Sequence, residues 1–580
     1  MSPEASAMEL DEYYANELSY LHDAARAFAR RHPDSAASLL EQGGDPDVER
    51  LLEGVAFLTA GLRARIDQAS AQISHGLAEL LLPHLLRSLP ATTIVEFAPN
   101  IKTLRTRQRV PHGRALLARE LHGTSCRFRT CLDVDLFPLA VRDANLESNT
   151  GERPRVRLQL ELSEQSRGLL AEPHPLRFFI HHTDPALPAT LLLWLTRHLE
   201  AVVLQSGDGP PIRLPPDAVT PLRAVDSAVY PWPDTAPIGY RSVLELFSLP
   251  EKFHFFELTG LHHLTITGTA LTILLEFDSP PPLAAAVGPG TFRLHCTPAI
   301  NLFEAPGEAI TCSPLGRESI VRADGQDPRH VEVYDVLSVT GIGRVHGGRR
   351  MVPPFTQHAG GPTITATYSL RRALSPADGS VDTYLSLVTP PDARGNPHDE
   401  VLSIELLCSN RGLPGELQAG DLHEEFPGGT FKSYVNITDP SPPVRMALGS
   451  EALWRLLSHL SLNQRGPASA DALRGLLRLY NFHAFSNAKR GPINTRQVDA
   501  IRAVRPESVT RMIHGVPMRA VRTTVELDER NFAGIGGAYL FGTVLDDLFG
   551  SLVPINAASE LRVVLTPSRQ EFSWPVRTGS

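Results

Sequence analysis

The sequence lacks any apolar run close to the ~20 residues that span a bilayer. Its N-terminus, MSPEASAMELDEYY, is acidic and polar, whereas a signal peptide begins with positive charge followed by an apolar core. Cysteine is scarce as well, with five residues and no CxxC spacing, which fits neither a disulfide framework nor a zinc ribbon. We therefore expect a cytosolic chain with reduced thiols.

An excess of positive charge is also missing. The formal net charge is −9 over 580 residues, and no basic patch indicates a nucleic-acid surface. Lysine is rare, with four residues among the 55 basic ones. Codon bias in a GC-rich genome explains this scarcity, and so does the enrichment of arginine in protein interfaces; the two explanations can hold together.

Catalytic and cofactor motifs are absent too. The densest histidine pairs, 181–182 and 262–263, put adjacent side chains on opposite faces of a strand, and there is no HExxH. The glycine clusters at 341–348 and 534–542 match neither the dinucleotide-binding nor the P-loop spacing, and no GxSxG is present. Asp546 and Asp547 are neighbours on a predicted helix, where such side chains do not face each other. We predict no catalytic residue, no metal and no cofactor.

What the sequence does contain is a long helical seam near its N-terminus. Residues 10–31 show helical periodicity up to the residue before Pro33, and a second helix is predicted from Pro46, capped by Asp45, to Leu82. In the second helix, apolar or small residues at 48, 52, 55, 59, 62, 66 and 69 alternate in gaps of four and three, the spacing of coiled coils. The seam predicts either an intersubunit bundle or a hairpin with residues 10–31, or both. The hypothesised interface residues are Val48, Leu51, Leu52, Val55, Leu58, Leu62, Ile66 and Ile73.

The remaining chain is mainly β. Alternation in RVRLQLELS (155–163) is typical of a strand with one wet face, PATLLLWLTRHLEAVVL (188–204) predicts a helix, and strands separated by turns over 253–407 predict a β sandwich or barrel. Eight prolines within 209–237 indicate irregular structure, either a joint between rigid bodies or a fixed strap. Helices at 451–463 and 470–482, a strand region around 515–526, a helix over 538–550 and a closing strand follow. The expected fold is multidomain α+β, in five parts: a helical bundle region (1–90), an α/β region (91–208), a proline-rich arm (209–237), a β-rich domain (238–444) and a C-terminal α+β domain (445–580).

Several ordered blocks resemble one family. The opening YYANELSYLHDAARAFARRHP, then DPDVERLLEGVAFLTAGL and LLPHLLRSLPATTIVEF, are similar to the start of the TssF (ImpG, VasA) family of type VI secretion baseplate components. RSVLELFSLPEKFHFFEL, PAINLFE, VYDVLSVTG, WRLLSHLSLN and YLFGTVLDDLFGSLVPIN resemble it as well. The resemblance runs from about Met8 to near the C-terminus, so translation starting at Met8 stays an alternative to Met1. After Asn556 the sequence lacks the aromatic residue expected there.

The resemblance implies a structural, non-enzymatic role. It implies wedges of two TssF copies and one TssG, joined by TssK and TssE around the VgrG hub, which nucleate assembly of the inner tube and sheath. It also implies a cytoplasmic location at the baseplate, docked to the inner-membrane complex. Two alternatives stay open from the residues alone: a wedge protein of a phage-like contractile tail, and a cytosolic hydrolase with a β-sandwich domain.

Overall fold

The computed structural model describes most of the chain. The described residues are 3–31, 46–101, 104, 106–148, 151–163, 170, 172–223, 227–233, 236–311, 318–343, 348–355, 366–375, 380–388, 400–426, 431–444, 467–485, 489–513 and 515–579. Within them, helices and strands mix in an α+β fold, as predicted. None of the described helices combines the length and the apolar character needed to cross a lipid bilayer.

The α-helices confirm most of the helical predictions. Their bounds are α1 Pro3–Arg31, α2 Pro46–Leu81, α3 Ala186–Arg197, α4 Ile238–Ser248, α5 Ala470–Tyr480, α6 Arg490–Asp499 and α7 Gly534–Ser551. The predicted helix over 451–463 lies outside the described residues.

Three sheets join distant parts of the chain. The first has six strands in the order β24 (His423–Glu425), β25 (Phe431–Asn436), β1 (Thr92–Pro99), β15 (Cys296–Ile300), β4 (Thr124–Thr130), β3 (Ala115–Leu121). The second has five strands in the order β10 (Ile212–Leu214), β9 (Leu199–Ser206), β13 (Ala270–Phe277), β7 (Arg155–Leu162), β6 (Leu139–Glu147). The third has four strands in the order β11 (Val219–Pro221), β12 (Phe255–Leu258), β8 (Leu176–Ile180), β14 (Phe292–Leu294).

The other sheets are formed more locally. One contains β16 (Phe303–Pro306), β23 (Glu400–Ser409), β19 (Glu332–Gly343) and β20 (Arg349–Met351), with β17 (Ile310–Thr311) paired to β23, and a second contains β18 (Ser319–Ile320), β22 (Val381–Val388) and β21 (Thr367–Leu374). A third pairs β2 (Gln108–Val110) with β5 (Val134–Leu136). The fourth contains β26 (Ile501–Ile513), β27 (Val516–Asp528), β28 (Ala558–Thr566) and β29 (Glu571–Ser573), with β30 (Arg577–Thr578) paired to β28.

The sheet pairing corrects the prediction of a separate sandwich or barrel over 253–407. Strand β13 lies between β9 and β7, and β15 pairs with β1, so hydrogen bonds join residues on both sides of the proline-rich stretch. The physical reason is burial. Leu271, Ile273 and Leu275 are buried on one face of β13, opposite the buried residues of β7, and this core requires both strands. The division of the chain into five parts stays a prediction.

Two local predictions are wrong. The helix expected over 188–204 ends at Arg197, and the rest is strand β9, because its β-branched residues Val202 and Val203 fit a pleated surface paired on both sides. The proline-rich stretch 209–237 is also more regular than expected. It contains β10 and β11, whose prolines lie at strand ends or at the start of a 3-10 turn, where a missing N–H is tolerated. Ala218, Val229 and Tyr230 are buried, which favours the fixed-strap alternative for the described part of this stretch.

Candidate subunit interface

Helix α2 is anchored at its C-terminal end. Ala78 and Leu82 are buried in the main core, and the Glu79 carboxylate accepts a 2.7 Å hydrogen bond from Arg372. Burial by itself lowers the pKa of Arg372, but the carboxylates of Glu79 and Asp335 outweigh burial and raise it. At 1.5 Å per residue, a helix of 36 residues is about 54 Å long. Its first four turns therefore lie far from this anchor.

Helix α1 covers one face of α2. Ala56 and Ala60 of α2 are fully buried there, and their small side chains permit close approach of the two helix axes. An ion pair links the helices at Glu17 and Arg63, and the His22 ring lies 3.3 Å from the Glu49 carboxylate. The intrachain hairpin, one of the two predicted arrangements, is thus present.

A second face of α2 is covered by none of the described residues. Leu51, Val55, Leu58 and Leu62, here called the open stripe, are 68%, 38%, 70% and 59% exposed. Their 4-3-4 spacing puts them within a sector of about 60° at 100° per residue. Four large apolar side chains in one row on a surface mark an interaction site much better than scattered ones do.

The structure divides the hypothesised interface residues into three groups. Leu51, Val55, Leu58 and Leu62 are exposed together, whereas Leu52 is half-buried on the side towards α1. The side chains of Val48, Ile66 and Ile73 lie outside the described part of the chain, although all three positions belong to α2. The assignment of this set to an intersubunit surface stays a prediction.

Glycines border the open stripe. A Cβ added at Gly54 or Gly61, seven residues apart, meets no heavy atom within 4 Å. A glycine inside a helix costs about 0.5–1 kcal/mol relative to alanine, and nothing in the described chain requires these two. Sequence reasoning missed them, although the spacing of seven in a helix with a seven-residue apolar repeat was a usable signal.

The histidine and cysteine side chains that the sequence offers for metal binding or catalysis form no such site among the described residues. Among the described residues no cluster of histidine, cysteine and carboxylate side chains could hold a metal ion. His262 and His263 lie in a 3-10 turn and not in a strand, so their rings do not point to opposite faces as predicted: the ring centroids are 3.9 Å apart, with the ring planes tilted by 43°. Buried Cys126, Cys296 and Cys408 are free thiols whose pKa burial raises well above the ordinary value.

Asp546 and Asp547 share one partner that sequence reasoning missed. The Arg577 guanidinium of β30 lies 2.6 Å from Asp546 and 2.7 Å from Asp547. The approach to Asp546 Oδ2 is an ion pair without hydrogen-bond geometry. Burial and the Asp547 charge outweigh Arg577 and raise the pKa of Asp546 to about 6. The three residues fasten the C-terminal strand to α7.

Comparison with known proteins identifies the family. The model of the family described as Type VI secretion system, TssF matches residues 7–580. The chain belongs to the TssF family. A curated relative, the type VI secretion system component TssF1 of Pseudomonas aeruginosa strain PAO1, is 29% identical over 98% of each chain.

Chains in solved structures of type VI secretion baseplate assemblies share the fold. A chain in a TssK-TssF-TssG baseplate subcomplex is 28% identical, with a TM-score of 0.75 over 91% of this chain and 99% of that one. A chain in a type VI baseplate complex is 25% identical, with a TM-score of 0.62 over 98% and 99%.

Proposed function

We propose that this TssF-family chain is a structural subunit of the type VI secretion baseplate wedge and assembles with TssG and TssK. The observation that carries the proposal is the open stripe on a helix rooted in the body of the protein. Relatives occur in a TssK-TssF-TssG subcomplex and in a baseplate complex, which supports partners of these kinds. The proposed role is that of a scaffold without catalytic activity. This absence of catalysis distinguishes it from the hydrolase alternative.

The open stripe is the surface for a helical bundle with TssG and a second TssF copy. Burying a leucine or valine contributes about 1.5–3 kcal/mol, so four partly exposed side chains supply roughly 5 kcal/mol. Association costs an estimated 4–15 kcal/mol or more in lost freedom. The stripe alone is therefore marginal, and a stable bundle requires that the contact continue along α2, where Ile66 and Ile73 follow at helical spacing.

The larger assembly follows from the same role. Two copies of this chain and one TssG form a wedge, TssE joins it, and wedges surround the VgrG hub to nucleate the tube and sheath. The wedge is cytoplasmic and docks to the inner-membrane complex. The hairpin of α1 and α2 supports this arrangement because its anchored C-terminal end holds the open stripe at a defined distance from the rest of the chain.

The test replaces the stripe with charge. The triple variant Leu51→Asp, Leu58→Asp, Leu62→Asp should fold with an unchanged melting temperature, since these side chains are exposed in the chain, but it should no longer copurify with coexpressed TssG. A matched control, Met351→Asp, Met512→Asp, Ile555→Asp, introduces the same charge at residues that are 75%, 69% and 76% exposed elsewhere. Retention of TssG by the stripe variant, or loss of TssG by the control as well, would contradict the proposal.

A further inference from the structure

A cavity of about 560 Å³ opens between the end of β8 and helices α3, α6 and α7. Its floor is apolar and consists of side chains including Phe179, Leu246, Leu540 and Phe541. The volume lies within the range of about 300–1,000 Å³ that ligand sites occupy, and it exceeds what one aliphatic side chain fills. Nothing in the wedge proposal uses this space.

The polar side of the cavity is dominated by cations. Arg490 is held in place, since it donates to the Ser248 carbonyl at 3.0 Å and to Glu251 at 2.6 Å. Arg496 also lines the cavity, is exposed, and has no carboxylate partner within the described chain. The lining thus contains two guanidinium groups and one carboxylate, Glu251, whose Oε1 is paired with Arg490 while its Oε2 is buried without a hydrogen-bond partner among the described residues.

The histidines along the same side add donors. His181 and His182 lie at the end of β8, and His182 Nδ1 accepts a 2.9 Å hydrogen bond from the backbone of Asp184. His254 is buried beneath them, and burial lowers its pKa to about 4 despite the opposing charge of Glu251. Its imidazole is therefore neutral at pH 7 and leaves the balance of formal charge positive.

Apolar surface continues out of the mouth. Ile493 lines the cavity from α6 and is 54% exposed. An occupant that covered the floor and Ile493 together would extend beyond the cavity, which favours a polypeptide over a small molecule. Its carboxylate would meet Arg496, because an unpaired guanidinium forms charge-assisted, bidentate hydrogen bonds with carboxylates.

We infer that this cavity is a socket for a peptide segment of a baseplate partner, one that carries at least two large apolar side chains beside an aspartate or glutamate. The inference rests on the proposed function, which supplies the partners. It adds a second contact that is independent of the open stripe.

The experiment uses the full chain in a purified complex with TssG and TssK. A photoreactive benzoylphenylalanine in place of Ile493 should crosslink to one segment of a partner that contains large apolar and acidic residues. The same probe in place of Ile555, exposed elsewhere, should not reach that segment. Two variants test the shape and the charge of the socket. Ala533→Trp, at an exposed lining residue, should block the mouth of the cavity, and Arg496→Glu should remove the guanidinium that binds the carboxylate of the partner segment. Each should lower the crosslink yield at least fivefold.

The outcomes separate the two proposals. Failure of the wild-type complex to form contradicts the proposed function. Formation of the complex without a crosslink from position 493 overturns only the socket, as does a crosslink to this same chain or to a segment without a carboxylate. An unchanged yield in the Arg496→Glu variant, or a small carboxylic acid found in the cavity by native mass spectrometry, also overturns it.

Discussion

Helices α2 and α7 both keep glycines in their interiors, and the glycines of the two helices have opposite surroundings. In α7, a Cβ added at Gly536 would lie 2.3 Å from the backbone of Ala189, and one at Gly542 would lie 2.5 Å from the Trp574 ring. In α2, a Cβ at Gly54 or Gly61 would meet open space. The helix-propensity cost is similar at each position, but within the described residues only the glycines of α7 lie against packing neighbours that explain them.

This difference indicates where the packing partners of each helix lie. Helix α7 is buried along most of its length and packs on α3 and α4 of the same chain. Helix α2 has one face covered by α1 and one face, the open stripe, covered by nothing described. Glycines that permit close approach on the uncovered side are consistent with a partner that the isolated chain does not contain.

The largest expected effect is a loss of stability of the body in acid, which the exposed hairpin face does not share. His84, His254, His295 and His483 are nearly fully buried, and burial lowers the pKa to about 3 for His84 and about 4 for the other three. Because these values lie below 6.5, the histidines bind more protons when unfolded. Their contribution is complete above pH 6.5 and is lost as the pH falls, by on the order of 2 kcal/mol each at pH 5.

Asp546 acts in the opposite direction, since its raised pKa makes the folded state favour the protonated carboxyl below about pH 6. Four histidines outweigh one aspartate, so thermal unfolding followed by circular dichroism should show a steep fall in melting temperature between pH 6.5 and 4.5. His84→Leu should flatten that profile, because neither ring nitrogen of His84 has a hydrogen-bond partner among the described residues. His112→Gln, at an exposed position, is the control; equal profiles for both variants would refute the assignment.

A smaller effect is expected from Gly536→Ala. The new methyl group would lie against backbone atoms of Ala189 and Thr190 that cannot rotate away, so α3 and α7 must separate. We expect a loss of about 3 kcal/mol in the free energy of unfolding, at the upper end of overpacking costs. Chemical denaturation measures it. Gly537→Ala in the same helix meets only Phe532 Cβ at 3.6 Å and should be neutral or slightly stabilising. Similar losses for both would show that helix α7 is sensitive to any substitution.

Sequence reasoning located the elements of this comparison better than their partners. The periodicity of residues 46–82 predicted α2 nearly to both ends, and that of residues 10–31 predicted the C-terminal end of α1, because capping residues and prolines mark helix termini locally. Helix α1 begins seven residues earlier than predicted, at Pro3. The covered side of α2 was not predictable, since apolar spacing shows which positions share a face but not which neighbour covers them. Residues 199–204 were assigned to a helix for a related reason: a short apolar run suits a buried strand and a buried helix alike.

The sites that arise from convergence had no local signal at all. The cavity between β8, α3, α6 and α7 brings together residues from 179 to 541. Arg577 meets Asp546 and Asp547 only because β30 adds to β28 beside α7. The prediction of a baseplate assembly came from the family resemblance, because no single motif in the chain indicates it. The family match confirms the resemblance.

The smallest expected effect sharpens the comparison most. Gly54→Ala with Gly61→Ala should raise the stability of the hairpin by up to about 1 kcal/mol per site, because alanine favours helix and the added methyl groups meet nothing in the chain. The same pair should weaken TssG copurification if a partner helix packs against these positions. Gly76→Ala, which also meets nothing within 4 Å, reports whether a third open glycine behaves alike. Melting of the isolated chain and TssG recovery must move in opposite directions. A stabilised variant that recovers TssG as well as the wild type would mean that the glycines border no interface and that the partner meets the open stripe from the other side.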